Sequence, residues 1–364
     1  MARSLYKKLS ARVKDVSIKI SERVELMKKK ILMITTGGTI ASKDGENGLT
    51  PEISDDEMLS FIPRVLEFCD VSTLQLFNLD STNVTPKHWE MISRTIEKYY
   101  DTYDGFVICH GTDTLAYTAS ALSYMVQGSP KPIVITGAQR PIDVDITDAK
   151  TNLMDSFIYA SDSESEDVTI VFDGKVIVGT RAKKVNAKSY NAFESINFPY
   201  LAVIQEGRVV RYLNVTQSSS RPKFFHGMDK KVCVLKLTPG IDWQILVFAM
   251  EHYDGVVIES FGVGGIPDYL AEEFYEQLEK SKKYNKIVVM STQVANEGSN
   301  MTIYEVGKRI KQDFNLMEAF DMTLEATITK LMWLISAKEI EHENHEILRK
   351  EFYRKINHDI LITS

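Results

Sequence analysis

The chain has 364 residues, 43 Lys and Arg against 50 Asp and Glu, and 44% hydrophobic residues, a composition that fits an ordinary globular protein of two domains. Intrinsic disorder is excluded by the apolar content, a low-complexity chain by only 19 Gly and 10 Pro, and a membrane helix by the lack of any apolar run near ~18 residues. Cys69, Cys109 and Cys233 form neither a disulfide scaffold nor a CxxC pair, and the net charge of −7 argues against a nucleic-acid partner.

Taken in chain order, the first thirty residues break with that acidity, since ten Lys or Arg face only Asp15, Glu22 and Glu25. Leu5, Leu9, Val13, Val16, Ile20 and Val24 fall near helical spacing, which makes residues 1–27 a basic extension. It has no continuous apolar stretch or small-residue cleavage site of a secretory signal, so the expectation is a cytoplasmic protein with no membrane insertion.

Beyond Lys30, short apolar runs alternate with helical patterns, the signature of an α/β fold with a mostly parallel sheet. The predicted strands are Ile31–Thr36, Phe106–His110, Ile133–Thr136, Thr169–Phe172, Cys233–Leu237, Val256–Glu259 and Ile287–Ser291. Ser54-Asp55-Asp56-Glu57 reads as a capping box, and Thr85-Pro86 as an N-cap followed by a proline in the first helical turn. Tyr103-Asp104-Gly105-Phe106-Val107-Ile108 recurs as Tyr253-Asp254-Gly255-Val256-Val257-Ile258, consistent either with a similar βαβ unit in each half or with convergence on common strand chemistry. These patterns divide the chain into the extension 1–27, a larger N-terminal α/β domain over 28–212, a linker over 213–227 and a smaller C-terminal α/β domain over 228–364.

Two predicted strands run straight into Gly/Thr turns: Ile31–Thr36 into Gly37-Gly38-Thr39-Ile40-Ala41-Ser42, and Phe106–His110 into Gly111-Thr112-Asp113-Thr114. Ligands of open α/β sheets bind outside the carboxyl ends of strands at a topological switch point, so both turns can face one crevice. Glycine permits close backbone approach, amide N–H groups can hold a developing oxyanion, and threonine offers a nucleophilic hydroxyl. No Gly-Lys-[Ser/Thr] follows for a P-loop, and Gly-x-Gly-x-x-Gly is absent.

Thr36-Gly37-Gly38-Thr39-Ile40-Ala41 and His110-Gly111-Thr112-Asp113-Thr114 together resemble the two signatures of the bacterial-type L-asparaginase family. The resemblance extends over Leu79-Asp80-Ser81-Thr82, Ile135-Thr136-Gly137-Ala138-Gln139, Gly179-Thr180-Arg181-Ala182-Lys183-Lys184 and Asp321-Met322-Thr323-Leu324-Glu325-Ala326-Thr327. Thr112-Asp113-Thr114-Leu115-Ala116-Tyr117-Thr118-Ala119 is most similar to the cytoplasmic type I branch, the Bacillus-like enzymes. The resemblance implies a two-domain fold, a dimer or tetramer, and hydrolysis of L-asparagine to L-aspartate and ammonia through an acyl-enzyme, without cofactor or metal. It implies Thr39 as nucleophile, Thr112, Asp113 and Lys184 as a second triad with a lysine tuned toward neutrality, and Asp80, Ser81, Thr82, Thr112 and Asp113 around the substrate. Asp113 would take the α-ammonium and Ser81 the α-carboxylate.

Two departures from the family pattern stand out. Ten residues after Thr39, where the family usually carries a tyrosine that bonds the nucleophile, this chain has Leu49. Where some type I enzymes bind asparagine as an effector through an arginine and a threonine, it has Glu259 and Lys183, which argues against that regulation. Asp143, Asp145 and Asp148 read as a loop entering a helix with Asp148 as its N-cap, and His110 as a packed rather than a catalytic residue. Two other functions fit the same turns: the ammonia-supplying subunit of a tRNA amidotransferase, and an amino-acid sensor that has lost catalysis.

Overall fold

The computed structural model describes residues 28–362 apart from 46–47, 52, 214–219, 229, 284–285, 304, 315 and 338–344. The basic extension 1–27 and part of the expected linker lie outside the described residues, as does the side chain of Leu49.

The chain opens with strand β1 (Lys29–Gly37), a ribbon of β2 (Ser42–Gly45) and β3 (Gly48–Pro51), helix α1 (Asp55–Ser60) and β4 (Cys69–Leu79). Helix α2 (Pro86–Tyr99), β5 (Gly105–Cys109), α3 (Leu115–Met125), β6 (Val126–Gln127) and β7 (Ile133–Thr136) follow. Next come α4 (Ala149–Ser161), β8 (Val168–Phe172), β9 (Lys175–Val178), β10 (Ala182–Lys184), β11 (Phe193–Ser195), β12 (Ala202–Gln205) and β13 (Arg208–Arg211). β1, β4, β5, β7, β8, β9, β12 and β13 form an eight-stranded sheet in the order β13-β12-β9-β8-β7-β5-β1-β4. The β4-β1-β5-β7-β8 part is parallel, and β9, β12 and β13 add antiparallel pairs at the far edge.

Alternation along the central strands assigns each helix to a face. Leu32, Ile34, Phe106, Ile108, Ile133 and Ile135 face α2 and α3, while Ile31, Met33, Val107, Cys109 and Val134 face α4. Both faces are thus covered, as a buried parallel sheet requires. From β1 the chain steps outward to β4 and then returns across β1 to β5, so the reversal of strand order falls between the carboxyl ends of β1 and β5.

The C-terminal part contains β14 (Lys223–Phe224), β15 (Val232–Lys236), α5 (Trp243–His252), β16 (Gly255–Ser260) and α6 (Ala271–Lys283). It continues with β17 (Ile287–Thr292), α7 (Glu305–Phe314), β18 (Met317–Glu318), α8 (Leu324–Ser336) and α9 (His345–Tyr353). Its four-stranded sheet, β15-β16-β17-β18, is parallel throughout. Within the span expected to be a linker, Lys223 and Phe224 instead pair with Gln127 and Val126, which ties that stretch to the N-terminal part.

The Tyr-Asp-Gly repeat has a common structural reason. The Asp104 carboxylate accepts from Lys30 N at 2.9 Å while Asp104 N donates to Lys30 O at 2.7 Å. Asp254 does the same to Lys231, at 3.0 and 2.8 Å. Each aspartate therefore caps the neighbouring strand at its entry, once in each sheet.

Helix α8 packs against α3, and a single apolar core runs from Leu122 and Met125 through Leu331 and Trp333 to Val257 and Val289. Buried charges cross this seam. Arg181, fully buried, donates to Asp321 Oδ2 at 2.9 Å, to Asp321 O at 2.7 Å and to His358 O at 2.6 Å. Lys330 meets Asp359 at 2.5 Å with both side chains fully buried, and Tyr124 donates to the same carboxylate at 3.1 Å. A buried guanidinium whose three nitrogens each find an acceptor fixes the relative placement of two elements, whereas removing one partner would strand a charge.

Candidate active site

Thr39 opens a single turn of 3-10 helix, Thr39–Ala41, immediately after β1. Gly38 before it has φ 83° and ψ 175°, a conformation reserved for glycine, and its amide bonds Leu79 O at 3.0 Å. A Cβ on Gly38 would lie 2.4 Å from Gly111 Cα, and one on Gly111 would lie 2.7 Å from Ser81 Cβ. The turn after β1, the turn after β5 and the end of β4 therefore touch backbone to backbone, and only glycine fits where they meet. Ser42 closes the first threonine turn by donating to Gly38 O at 2.9 Å, and Thr36 ties β1 to β5 by donating to Cys109 O at 2.9 Å.

The three turns enclose a cavity of about 100 Å³ lined by Gly38, Thr39, Ser42, Asp80, Ser81, Gly111, Thr112 and Asp113. Of the residues expected around a substrate, Thr82 alone falls outside this lining. Its amide and hydroxyl both donate to Asp80 Oδ1 at 2.8 Å, an Asx turn that presents the buried Ser81 to the cavity. Thr114 holds the same turn by donating to Ser81 O at 2.8 Å.

Lys184 reaches the site on a short antiparallel ribbon, β10 with β11, in which it opposes Phe193. Its ammonium donates to Thr112 Oγ1 at 2.8 Å and to Asp113 Oδ1 at 2.6 Å. Lys184 is mostly buried while Asp113 is 58% exposed, so the carboxylate faces the open side and the lysine stands behind Thr112. The Thr112 hydroxyl passes its own hydrogen to Gln139 Oε1 at 3.1 Å. Thr112 and Asp113 also lie at the amino end of α3, where the helix dipole favours negative charge.

Sequence reasoning misses Gln139, although it falls in the stretch Ile135-Thr136-Gly137-Ala138-Gln139 directly after β7. A polar residue just past the carboxyl end of the strand beside β5 is the available signal. Its amide N–H donates to both oxygens of Asp148, at 3.1 and 2.9 Å, and Arg140 N donates to Asp148 Oδ1 at 3.1 Å. Asp148 occupies the N-cap position of α4 as expected, but its side chain accepts from the Gln139 turn and from the Asn152 side chain rather than from the backbone N–H groups of its helix, and Thr147 Oγ1 accepts from Ala149 N in its place. The start of α1 also differs in detail: Ser54 accepts from Glu57 N at 3.3 Å, while the Glu57 carboxylate pairs with Lys43 at 3.2 Å.

His110 packs, as its position suggested. It is fully buried beside the second turn, and burial pushes its imidazole down to about 4. Trp89 Nε1–H donates to Thr118 Oγ1 at 3.0 Å, so the Thr118 hydroxyl is free to donate to His110 Nε2 at 3.0 Å, which leaves Nδ1–H to donate to Gly111 O at 2.7 Å. This neutral tautomer makes His110 a strut under the turn. At the expected effector position, Lys183 Nζ lies 3.9 Å from Glu325 Oε1, and burial, opposed by Lys183 and reinforced by Glu259, raises the Glu325 carboxyl.

Residues 30–217 match the family model "Asparaginase, N-terminal", and residues 231–348 match "Glutaminase/Asparaginase C-terminal domain". The chain belongs to the asparaginase family. It is 37% identical over 328 residues to an L-asparaginase of Thermococcus kodakarensis, covering 90% of this chain and 99% of that protein. The solved structure of the thermostable L-asparaginase from the same organism superposes with a TM-score of 0.84 over 92% of this chain and all of that one, at 37% identity. A glutamyl-tRNA(Gln) amidotransferase component of Methanosphaera stadtmanae is 34% identical over 360 residues, covering 94% of this chain and 79% of that protein.

Proposed function

We propose that this protein is an L-asparaginase that hydrolyses L-asparagine to L-aspartate and ammonia through a threonine-linked acyl-enzyme. The observation that carries the reading is the convergence of two threonine turns on one small polar cavity, with Lys184 hydrogen-bonded to Thr112 and ion-paired to Asp113.

The Thr39 hydroxyl attacks the side-chain amide carbonyl, the Thr112 backbone N–H holds the oxyanion, and the proton released by Thr39 passes to the departing nitrogen, which leaves as ammonia. A water positioned by Thr112 then cleaves the ester, its proton returning through the Thr112 hydroxyl, which Lys184 holds, to the departing Thr39 oxygen. Asp113, on the exposed side, takes the substrate ammonium. That competes with its pair to Lys184 and frees the lysine to exchange a proton with Thr112. Ser81, buried at the cavity floor, takes the α-carboxylate, and Gln139 orients Thr112.

The same reading assigns the molecule to the cytoplasm, following the type I form of the second turn, and divides it at 28–212 and 228–364. Association into a dimer or tetramer is supported by the exposed Trp243, Ile245, Phe248 and Tyr269 on the C-terminal domain, an apolar surface that a second copy would cover.

The deciding assay is ammonia release by the purified chain from asparagine and from glutamine, with Thr39→Ala alongside. Release without a partner subunit separates hydrolysis from amidotransferase supply, and turnover of any kind separates it from a silent sensor. Thr39→Ala should lower kcat by roughly 10³-fold or more with the fold intact. Retention of over about a tenth of wild-type kcat would overturn the nucleophile assignment.

A further inference from the structure

A second cleft, of about 530 Å³, lies along α4 between the segment 64–68 and the β12–β13 turn, and shares no residue with the cavity between the threonine turns. Its volume falls in the range of small-molecule sites. Asp155 projects from α4 into it, only 9% exposed, and no hydrogen-bond or ion-pair partner reaches its carboxyl among the described residues. Such a group costs stability unless something pairs with it, and burial alone pushes this carboxyl up to about 7. The same cleft presents Glu67, Glu206 and Arg64 at exposed positions, none of them paired among the described residues. Phe68, Met154 and Ile158 supply a half-buried apolar floor.

We propose that this cleft binds a small aliphatic diamine, with one ammonium on Asp155, the other against Glu67 or Glu206, and its methylenes over Phe68, Met154 and Ile158. Charge selects this ligand class. Three carboxylates and one guanidinium leave the ionised cleft two negative charges in excess, which a dication neutralises and a monoamine only halves. A zwitterionic amino acid could set its carboxylate on Arg64, yet it would leave the excess unchanged. The apolar floor favours an organic dication over a metal ion, which requires converging oxygens.

The test is isothermal titration of the full chain at pH 8 with 1,4-diaminobutane, butylamine and norvaline. The diamine should bind at one site per chain and at least tenfold more tightly than butylamine. Asp155→Asn should weaken diamine binding tenfold or more and leave asparagine hydrolysis unchanged. The double variant Glu67→Gln with Glu206→Gln, on exposed positions where folding is not at stake, should reduce the preference for the diamine over butylamine to near unity. Absence of saturable binding, equal binding of butylamine, preference for norvaline, or an unaltered diamine affinity in either variant would overturn the proposal.

Discussion

Gly38→Ala probes the joint between the two threonine turns, on which the proposed catalytic geometry rests. The residue sits at φ 83° and ψ 175°, so any side chain carries backbone strain of about 1–3 kcal/mol. The new Cβ would also lie 2.4 Å from Gly111 Cα and 2.5 Å from Gly111 N. Carbon atoms in contact sit ~3.5–4.0 Å apart, so the two threonine turns would have to separate by about 1 Å. No flexible side chain can absorb that shift, because the opposing atoms are backbone. A displacement of this size at reacting groups costs roughly 10²-fold in rate. Thr39 and Thr112 stand on opposite sides of the joint, so the loss should appear in kcat. Gly111→Ala instead drives its Cβ to 2.7 Å from Ser81 Cβ and Oγ, which should appear mainly in KM for asparagine. Steady-state kinetics and thermal melts of both variants provide the check. A folded Gly38→Ala with kcat within about threefold of wild type would show that the turns do not need this contact.

If Thr112 and Lys184, bonded at 2.8 Å, form the proposed proton relay, Thr112→Val, Lys184→Met and the double variant should lose similar activity, because such groups act as a unit; additive losses would argue against the relay. Asparagine kinetics should be hyperbolic, since Lys183 and Glu259 both stand beside Glu325 where an effector would need other groups, and a Hill coefficient clearly above one would contradict this. Asp155→Asn should alter the pH dependence of stability. The carboxyl rises from ~3.9 unfolded to about 7 folded, so its penalty is absent below pH ~4, grows between the two values and is complete above the folded one. Denaturant titrations should show the variant gaining on wild type by up to about 4 kcal/mol between pH 4 and pH 8. A pH-independent difference would refute the burial argument.

All seven strands read from the sequence exist in the structure, with no end displaced by more than two residues, because continuous apolar runs between turn signals are how buried parallel strands look. β4 escapes that pattern. Cys69–Leu79 mixes Asp70, Ser72, Thr73, Gln75 and Asn78 with apolar residues because it is an edge strand and most of its residues are only half-buried. The short antiparallel strands β9 to β13 escape it as well, since three or four residues carry too little periodicity. At the site, the two threonine turns and their meeting at the switch point are legible, because strand ends and glycines mark them. Gln139 as the acceptor for Thr112, and Asp148 as the group behind Gln139, are not, since both contacts join residues that only the folded loop brings together. Arg181 stands in a recognisable stretch, yet its partners Asp321 and His358 lie 140 and 177 residues away, a distance over which local pattern says nothing.

Those distant partners also bear on the order in which the protein can be made. Thr180 donates to Asn357 O, Arg181 to His358 O, Lys330 to Asp359, and Asn357 Nδ2 to Ser123 Oγ and Val168 O. During synthesis the sheet of the first domain emerges with Ser123, Thr180 and Arg181 lacking these acceptors and donors. They obtain them only when residues 357–359 have left the ribosome. Until then, the Arg181 guanidinium of the first domain lacks its His358 acceptor beside an apolar seam that the later residues cover. The last step in closing the seam therefore waits on residues 357–359, a short segment that acts as the latch.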